Sequence, residues 1–104
     1  MQNEIFDYPG GVALPPVHPG RTLAAELVAR ELTANALALK LRVPANRLSD
    51  IVRGHRGISP ETALRLGRFL GTGAQFWMAL QANYDLALAE RELGPIIERE
   101  VEIA

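Results

Sequence analysis

Cysteine is absent from the 104 residues. That excludes a disulfide framework, a thiolate metal site and a cysteine nucleophile, and it suits a reducing compartment such as the cytoplasm. No apolar run approaches the ~18 residues of a membrane span. The N-terminal stretch MQNEIFDYPGGVALPP has neither a basic region nor a continuous apolar region, so no signal peptide is expected. Aromatics make up only 6%. A surplus of one charge is also missing: 11 Lys+Arg stand against 12 Asp+Glu, net −1. As a total, that argues against a simple basic nucleic-acid binder. There are two histidines, His18 and His55, and no H-E-x-x-H spacing. No metal site and no cofactor are expected.

What is present points to helix. Ala and Leu together supply 30 residues, the composition of a chain that favours helix over sheet. Seven of the sixteen Pro and Gly residues fall in the first twenty. Residues 1–18 therefore read as an extended or flexible arm. Pro19-Gly20 opens a first helix, to about residue 30, with Leu23 and Leu27 as its apolar stripe and Val28 beside them. Thr33 is the expected N-cap of a second helix, about 34–41. Leu37, Leu39 and Leu41 alternate as a strand would, but Ala36, Ala38 and Lys40 between them favour helix. Pro44 interrupts the chain, and a third helix follows over about 45–53, with Gly54 at its left-handed end. Ser59-Pro60-Glu61 starts a fourth, to about residue 70, burying Ala63, Leu66 and Leu70. Thr72-Gly73-Ala74-Gln75 has the form of a capping box, Thr72 as N-cap and Gln75 at the fourth place. The fifth helix, about 73–90, carries Phe76, Trp77, Leu80, Tyr84 and Leu88, read as a core face that also supplies a dimer surface. Gly94-Pro95 is expected to end it. Ile96–Ala104 then forms a strand or a loose tail. The organisation expected is an arm (1–18), a helical domain (19–90) and a tail (91–104).

The neutral total hides a gradient. Residues 1–20 carry Glu4 and Asp7 alone, net −2; residues 21–68 carry nine Lys/Arg against four Asp/Glu, net +5; residues 69–104 carry two Arg against six Asp/Glu, net −4. Helices two and three are joined by about three residues. That is too short for a long antiparallel hairpin and right for a steep helix-turn-helix crossing. Ala38 is small where the two would touch. Leu37, Leu41, Val43, Leu48 and Ile51 close the pair onto a core. The outer side of helix three then holds Ala45, Asn46, Arg47, Ser49, Asp50 and Arg53, short or polar side chains suited to base edges. Lys40, Arg42, Arg47, Arg53 and Arg56 against Asp50 give the segment 33–57 a net +4, with His55 at the same edge. Such a footprint attracts phosphate. Ser59 reads as a cap and not a nucleophile. Asp85, Glu90 and Glu92 read as a solvated helical face. No enzyme activity and no small-molecule substrate are expected.

The run Val17-His18-Pro19-Gly20, the segment Leu48–Ile58, the run Thr62–Leu66 and the run Gln75-Phe76-Trp77-Met78-Ala79-Leu80-Gln81-Ala82-Asn83-Tyr84-Asp85-Leu86 resemble, in this order, the HigA (VapI-like) family of antitoxins. The resemblance spans about residues 17–89, and its most specific part is Phe76–Leu86. It implies an all-α, lambda-repressor-like helix-turn-helix bundle of five helices. It also implies a cytoplasmic, homodimeric antitoxin that binds a RelE-like ribonuclease toxin and represses the operon they share. Ala45, Asn46 and Asp50 fall at base-reading positions, with Ser49 on the same face. Thr33, Asn35, Arg47, Arg53, His55 and Arg56 fall at phosphate positions, where Lys40 and Arg42 add charge. The sequence departs from the family pattern at Arg42, which replaces a turn glycine and needs a left-handed or adjusted backbone. It departs also at Ala34, where Gln is usual, and at Arg21, where an acidic residue is usual. Two recognition helices reading adjacent half-sites must lie ~34 Å apart in a dimer, and helix five is the expected contact. The arm, with Ile5, Phe6, Tyr8, Val12 and Leu14, is expected to fold on the toxin or a second subunit. Other readings are a phage-type repressor without a toxin and a protein-only antitoxin.

Overall fold

A computed structural model describes residues 15–104. Most of the arm expected over 1–18 lies outside the described residues. Five α-helices follow: α1 (Pro19–Arg30), α2 (Ala34–Leu41), α3 (Ala45–Val52), α4 (Pro60–Leu70) and α5 (Ala74–Glu100). No strand occurs among the described residues.

The start signals act mostly as the sequence predicts. Thr33 Oγ1 accepts from the Ala36 N–H at 3.0 Å, and Ser59 Oγ accepts from the Thr62 N–H at 3.2 Å. His18 caps α1 by its ring: Nδ1 accepts from the Gly20 N–H at 2.9 Å, with Pro19 as first helical residue. The capping box at α5 does not form. Its N-cap is Gly73, at φ 84° and ψ 157°, a conformation open to glycine and almost nothing else. Thr72 Oγ1 instead accepts from the Trp77 indole N–H at 2.8 Å and donates to the Gly73 carbonyl at 3.0 Å. A fully buried indole needs an acceptor, and Thr72 is the one within reach.

Helix ends hold two non-glycine residues in the left-handed region. Arg42, φ 60°, ends α2, as its place in the turn requires. Glu31, φ 56°, ends α1 in the same way. In both cases the next residue reaches back: Val43 N–H donates to Ala38 O at 3.1 Å, and Leu32 N–H to Leu27 O at 2.9 Å. Each side chain held there costs about 1 kcal/mol against glycine. Two arginines tie other helix ends. Arg65 Nη1 donates to Leu41 O at 2.9 Å, and Arg30 Nη2 donates to Leu70 O at 3.1 Å.

The core joins Leu23, Leu27, Leu37, Ala38, Leu41, Leu48, Ile51, Ile58, Ala63, Leu66, Leu70 and Trp77. α3 packs on α2 and α1, and α4 packs on α5. Gly20 lets α1 lie directly on the Ile51 carbonyl, and Gly67 lets α4 lie on the Gly73–Ala74 backbone; a β-carbon at either would overlap those atoms. Val28 does not join the stripe. It is 79% exposed, because it lies about 100° round the helix from Leu27. Leu39 likewise faces out between buried Leu37 and Leu41, which resolves the alternating leucines as helix.

Gly94-Pro95 does not end α5. The helix passes through Pro95 to Glu100, and only 101–104 leave it, so the strand and loose-tail expectations for Ile96–Ala104 give way to helix. Pro95 has no N–H to give to the Arg91 carbonyl four residues back. Arg91 is exposed, so water can take that acceptor, and the break that a buried site would enforce is avoided.

Candidate nucleic-acid interface

α3 has two sharply different sides. Leu48 and Ile51 are fully buried. Ala45 and Asn46 are exposed, and Ser49 and Asp50 are half-buried. Ser49 Oγ donates to the Asn46 carbonyl at 3.3 Å, so its proton is held by its own helix and its lone pairs remain outward acceptors. Pro44 stands at the N-cap and no side chain caps α3. The Arg47 N–H donates to the Pro44 carbonyl at 3.1 Å, while the N–H groups of Ala45 and Asn46 are left for solvent or an incoming anion.

The side chains expected at phosphates fall into separate groups around this helix. Thr33 and Asn35 are exposed at the start of α2, while Lys40 and Arg42 are exposed at its end, about 12 Å away along an eight-residue helix. Arg53, His55 and Arg56 occupy the connection after α3, all exposed. That connection is held from both sides. Gly54 takes φ 79°, and the His55 N–H donates to Asp50 O at 2.8 Å. On the far side, the Ile58 N–H donates to Gln81 Oε1 at 2.7 Å. Arg47 differs from the rest. It is half-buried and pairs with Glu61 at 3.6 Å, and Glu61 also pairs with Arg65 at 3.1 Å. Its guanidinium must share or leave Glu61 to meet a phosphate.

The residues expected on one face of helix five do not share one environment. Trp77 is fully buried while Phe76 is 43% exposed, since neighbours on a helix cannot both point inward. Their rings meet edge to face at 5.0 Å. Leu80, Tyr84 and Leu88 are half-buried, and the Tyr84 ring meets His18 at 4.9 Å. Beyond them, Leu86, Leu93, Ile96 and Ile97 are exposed.

The helix-turn-helix family model matches residues 23–77, from α1 to the first turn of α5. Virulence-associated protein I of Dichelobacter nodosus is 46% identical over 80 residues, 76% of this chain and 74% of that one. A solved antidote protein of the HigA family from Coxiella burnetii is 43% identical, with TM-score 0.84 over 88% of this chain and all of that chain. The chain belongs to the HigA family of helix-turn-helix antitoxins. Another solved member, Pseudomonas aeruginosa antitoxin HigA with the higBA promoter, is 49% identical, with TM-score 0.81 over 84% of this chain and 96% of that one. The all-α, five-helix architecture is thus that of HigA proteins.

Sequence reasoning missed three participants in this HigA surface. Gln81 sat inside the most specific run but was given no contact. Glu61 belongs to the helix-start signal Ser59-Pro60-Glu61, and its carboxylate also holds Arg47. Arg68 lay outside the 33–57 window, yet it lines one cleft with Lys40 and Arg42. Its signal was the +5 charge of residues 21–68, to which it contributes. Among the described residues no helix is long and apolar enough to cross a membrane.

Proposed function

We propose that this HigA-family chain is the cytoplasmic antitoxin of a type II toxin–antitoxin module. It neutralises a RelE-like ribonuclease toxin by binding it, and it represses its own operon by sequence-specific DNA binding as a homodimer. The observation that carries the DNA part is α3 itself. Its first two residues, Ala45 and Asn46, are exposed, no side chain caps it, and it lies between cations on the preceding turn and the following connection. Ala45, Asn46, Ser49 and Asp50 read base edges. Thr33, Asn35, Lys40, Arg42, Arg47, Arg53, His55 and Arg56 hold the phosphates and set the register. The P. aeruginosa relative, solved with the higBA promoter, supports this reading.

Dimerisation is assigned to α5, whose exposed Leu86, Leu93, Ile96 and Ile97 form an apolar strip that water disfavours. The acidic ends, net −2 over 1–20 and −4 over 69–104, suit a basic partner such as a ribonuclease.

Two experiments test the reading. The chain should shift a DNA fragment from upstream of its own reading frame, with affinity falling steeply as salt rises; absent or salt-independent binding ends the repressor reading. Co-expression should rescue growth from a small, basic, toxic product of the adjoining frame. Failure to rescue ends the antitoxin reading and leaves a repressor.

A further inference from the structure

An open cleft of about 680 Å³ lies where the end of α2 faces α4, lined by Lys40, Leu41, Arg42, Arg65, Arg68 and Phe69. Four of its six lining residues are cations. Arg65 is fixed as a wall by its bonds to Glu61 and to the Leu41 carbonyl. Lys40, Arg42 and Arg68 differ: among the described residues none has a carboxylate within 4 Å. All three are exposed, and Phe69 beside them is 40% exposed. Folding therefore gathers three cations without neutralising them, a standing positive potential at one concave place.

Position decides what anion this potential meets. Arg42 is the left-handed turn residue, and Ala45, the first residue of α3, follows three positions later. The cleft thus lies at the turn that leads into the uncapped base-reading helix. It is open to solvent and, apart from buried Leu41, lined by exposed residues, which fits a nucleic-acid strand passing over it better than an enclosed small molecule. We propose that the cleft is a second phosphate-binding site. It takes a backbone phosphodiester of operator DNA outside the base pairs read by α3, with Arg68 as its cation from α4 and the Phe69 ring against the adjoining sugar. The inference rests on the operator-binding reading and extends it. It adds a contact from an element outside the helix-turn-helix.

The test compares two duplexes, both built on the site footprinted upstream of the gene. One is trimmed to the base pairs of the two half-sites that α3 reads; the other extends by about half a helical turn at each end. Affinity is measured by fluorescence anisotropy across salt, for the full chain and for Arg68→Ala and Arg68→Lys. On the extended duplex, Arg68→Ala should lower the salt slope by about one. The affinity gap to wild type should then widen about three- to fourfold between 200 mM and 50 mM salt. On the trimmed duplex the two should bind alike, and Arg68→Lys should restore most of the loss. Circular dichroism checks that the variants fold. If wild type binds and Arg68→Ala changes neither duplex, or weakens both equally, the inference is overturned and operator binding stands. If Arg68→Ala leaves DNA binding intact but weakens association between copies in sedimentation, the cleft takes an acidic protein segment and the inference is overturned. Wild type that binds neither duplex overturns the operator reading and this inference with it.

Discussion

Gln81 Oε1 accepts the backbone N–H of Ile58 at 2.7 Å across 23 residues of sequence. The other end of the amide is also engaged, since Nε2 donates to Asp85 Oδ1 at 2.9 Å. Gly57 leaves just enough room, as a β-carbon there would press on the amide at 3.1 Å. One side chain of α5 thereby fixes the far end of the connection that carries His55 and Arg56.

Gln81→Leu should leave the Ile58 N–H without its acceptor. The expected loss is about 1–3 kcal/mol of unfolding free energy by urea titration. Hydrogen exchange should show the Ile58 amide losing protection ahead of its neighbours. An unchanged Ile58 exchange rate would show that the bond does not hold the connection.

Gly20→Ala and Gly67→Ala should each destabilise the fold, by about 1–3 kcal/mol or more where the backbone cannot yield. The added methyl overlaps backbone in both cases, the Ile51 carbonyl in one and Gly73–Ala74 in the other. Gly94→Ala makes the control: nothing lies within 4 Å of that position, so a mid-helix alanine should be neutral or stabilising. Melting temperatures of the three variants decide it.

Arg42→Gly should move two properties in opposite directions. Glycine relieves the positive φ of 60°, a gain of about 1 kcal/mol reduced by the added freedom of the unfolded chain. Removing the cation should weaken DNA binding and lower the salt slope by about one. Thermal melts and salt-dependent titrations on the same preparation separate the effects.

Asn46→Ala and Arg53→Ala should differ in kind. Losing the Asn46 amide should cost about 1–3 kcal/mol at one base pair and little at the others. Losing Arg53 should weaken binding to every sequence and flatten the salt dependence. Affinities for a panel of single-base operator variants distinguish them. A uniform effect from Asn46→Ala would remove it from the base-reading set.

Much of the fold is legible in the sequence, because local chemistry decides it. Thr33, Ser59 and Pro60 mark helix starts by side chain, and Leu37/Leu41 and Leu48/Ile51 mark inner faces by spacing. The capping box failed for a reason outside the local sequence. Thr72 stands one residue before the N-cap Gly73, and its hydroxyl is placed between the buried Trp77 indole and the Gly73 carbonyl rather than at the first N–H groups of the helix. Pro95 misled because the cost of proline depends on whether the freed carbonyl can reach water, which sequence does not state. The charge count located the basic surface but overstated its supply. Arg30 and Arg65 hold helix-end carbonyls, and Arg47 faces Glu61. Those pairings are long-range, so no window along the chain reveals them.

Pro95 divides α5 into two lengths of unequal fate. Residues 74–94 include positions packed against α4 and anchored by Trp77, whereas only 96–100 continue the helix beyond the proline, all exposed. Fraying from the carboxyl end meets a missing rung at residue 95, so unwinding need not spread toward the core. The last turn is therefore tied to the body by one hydrogen bond fewer than in an unbroken helix, and local opening is expected to begin there, where Ile96 and Ile97 are exposed. A single imino acid in this way sets where the end of the helix can part from its body.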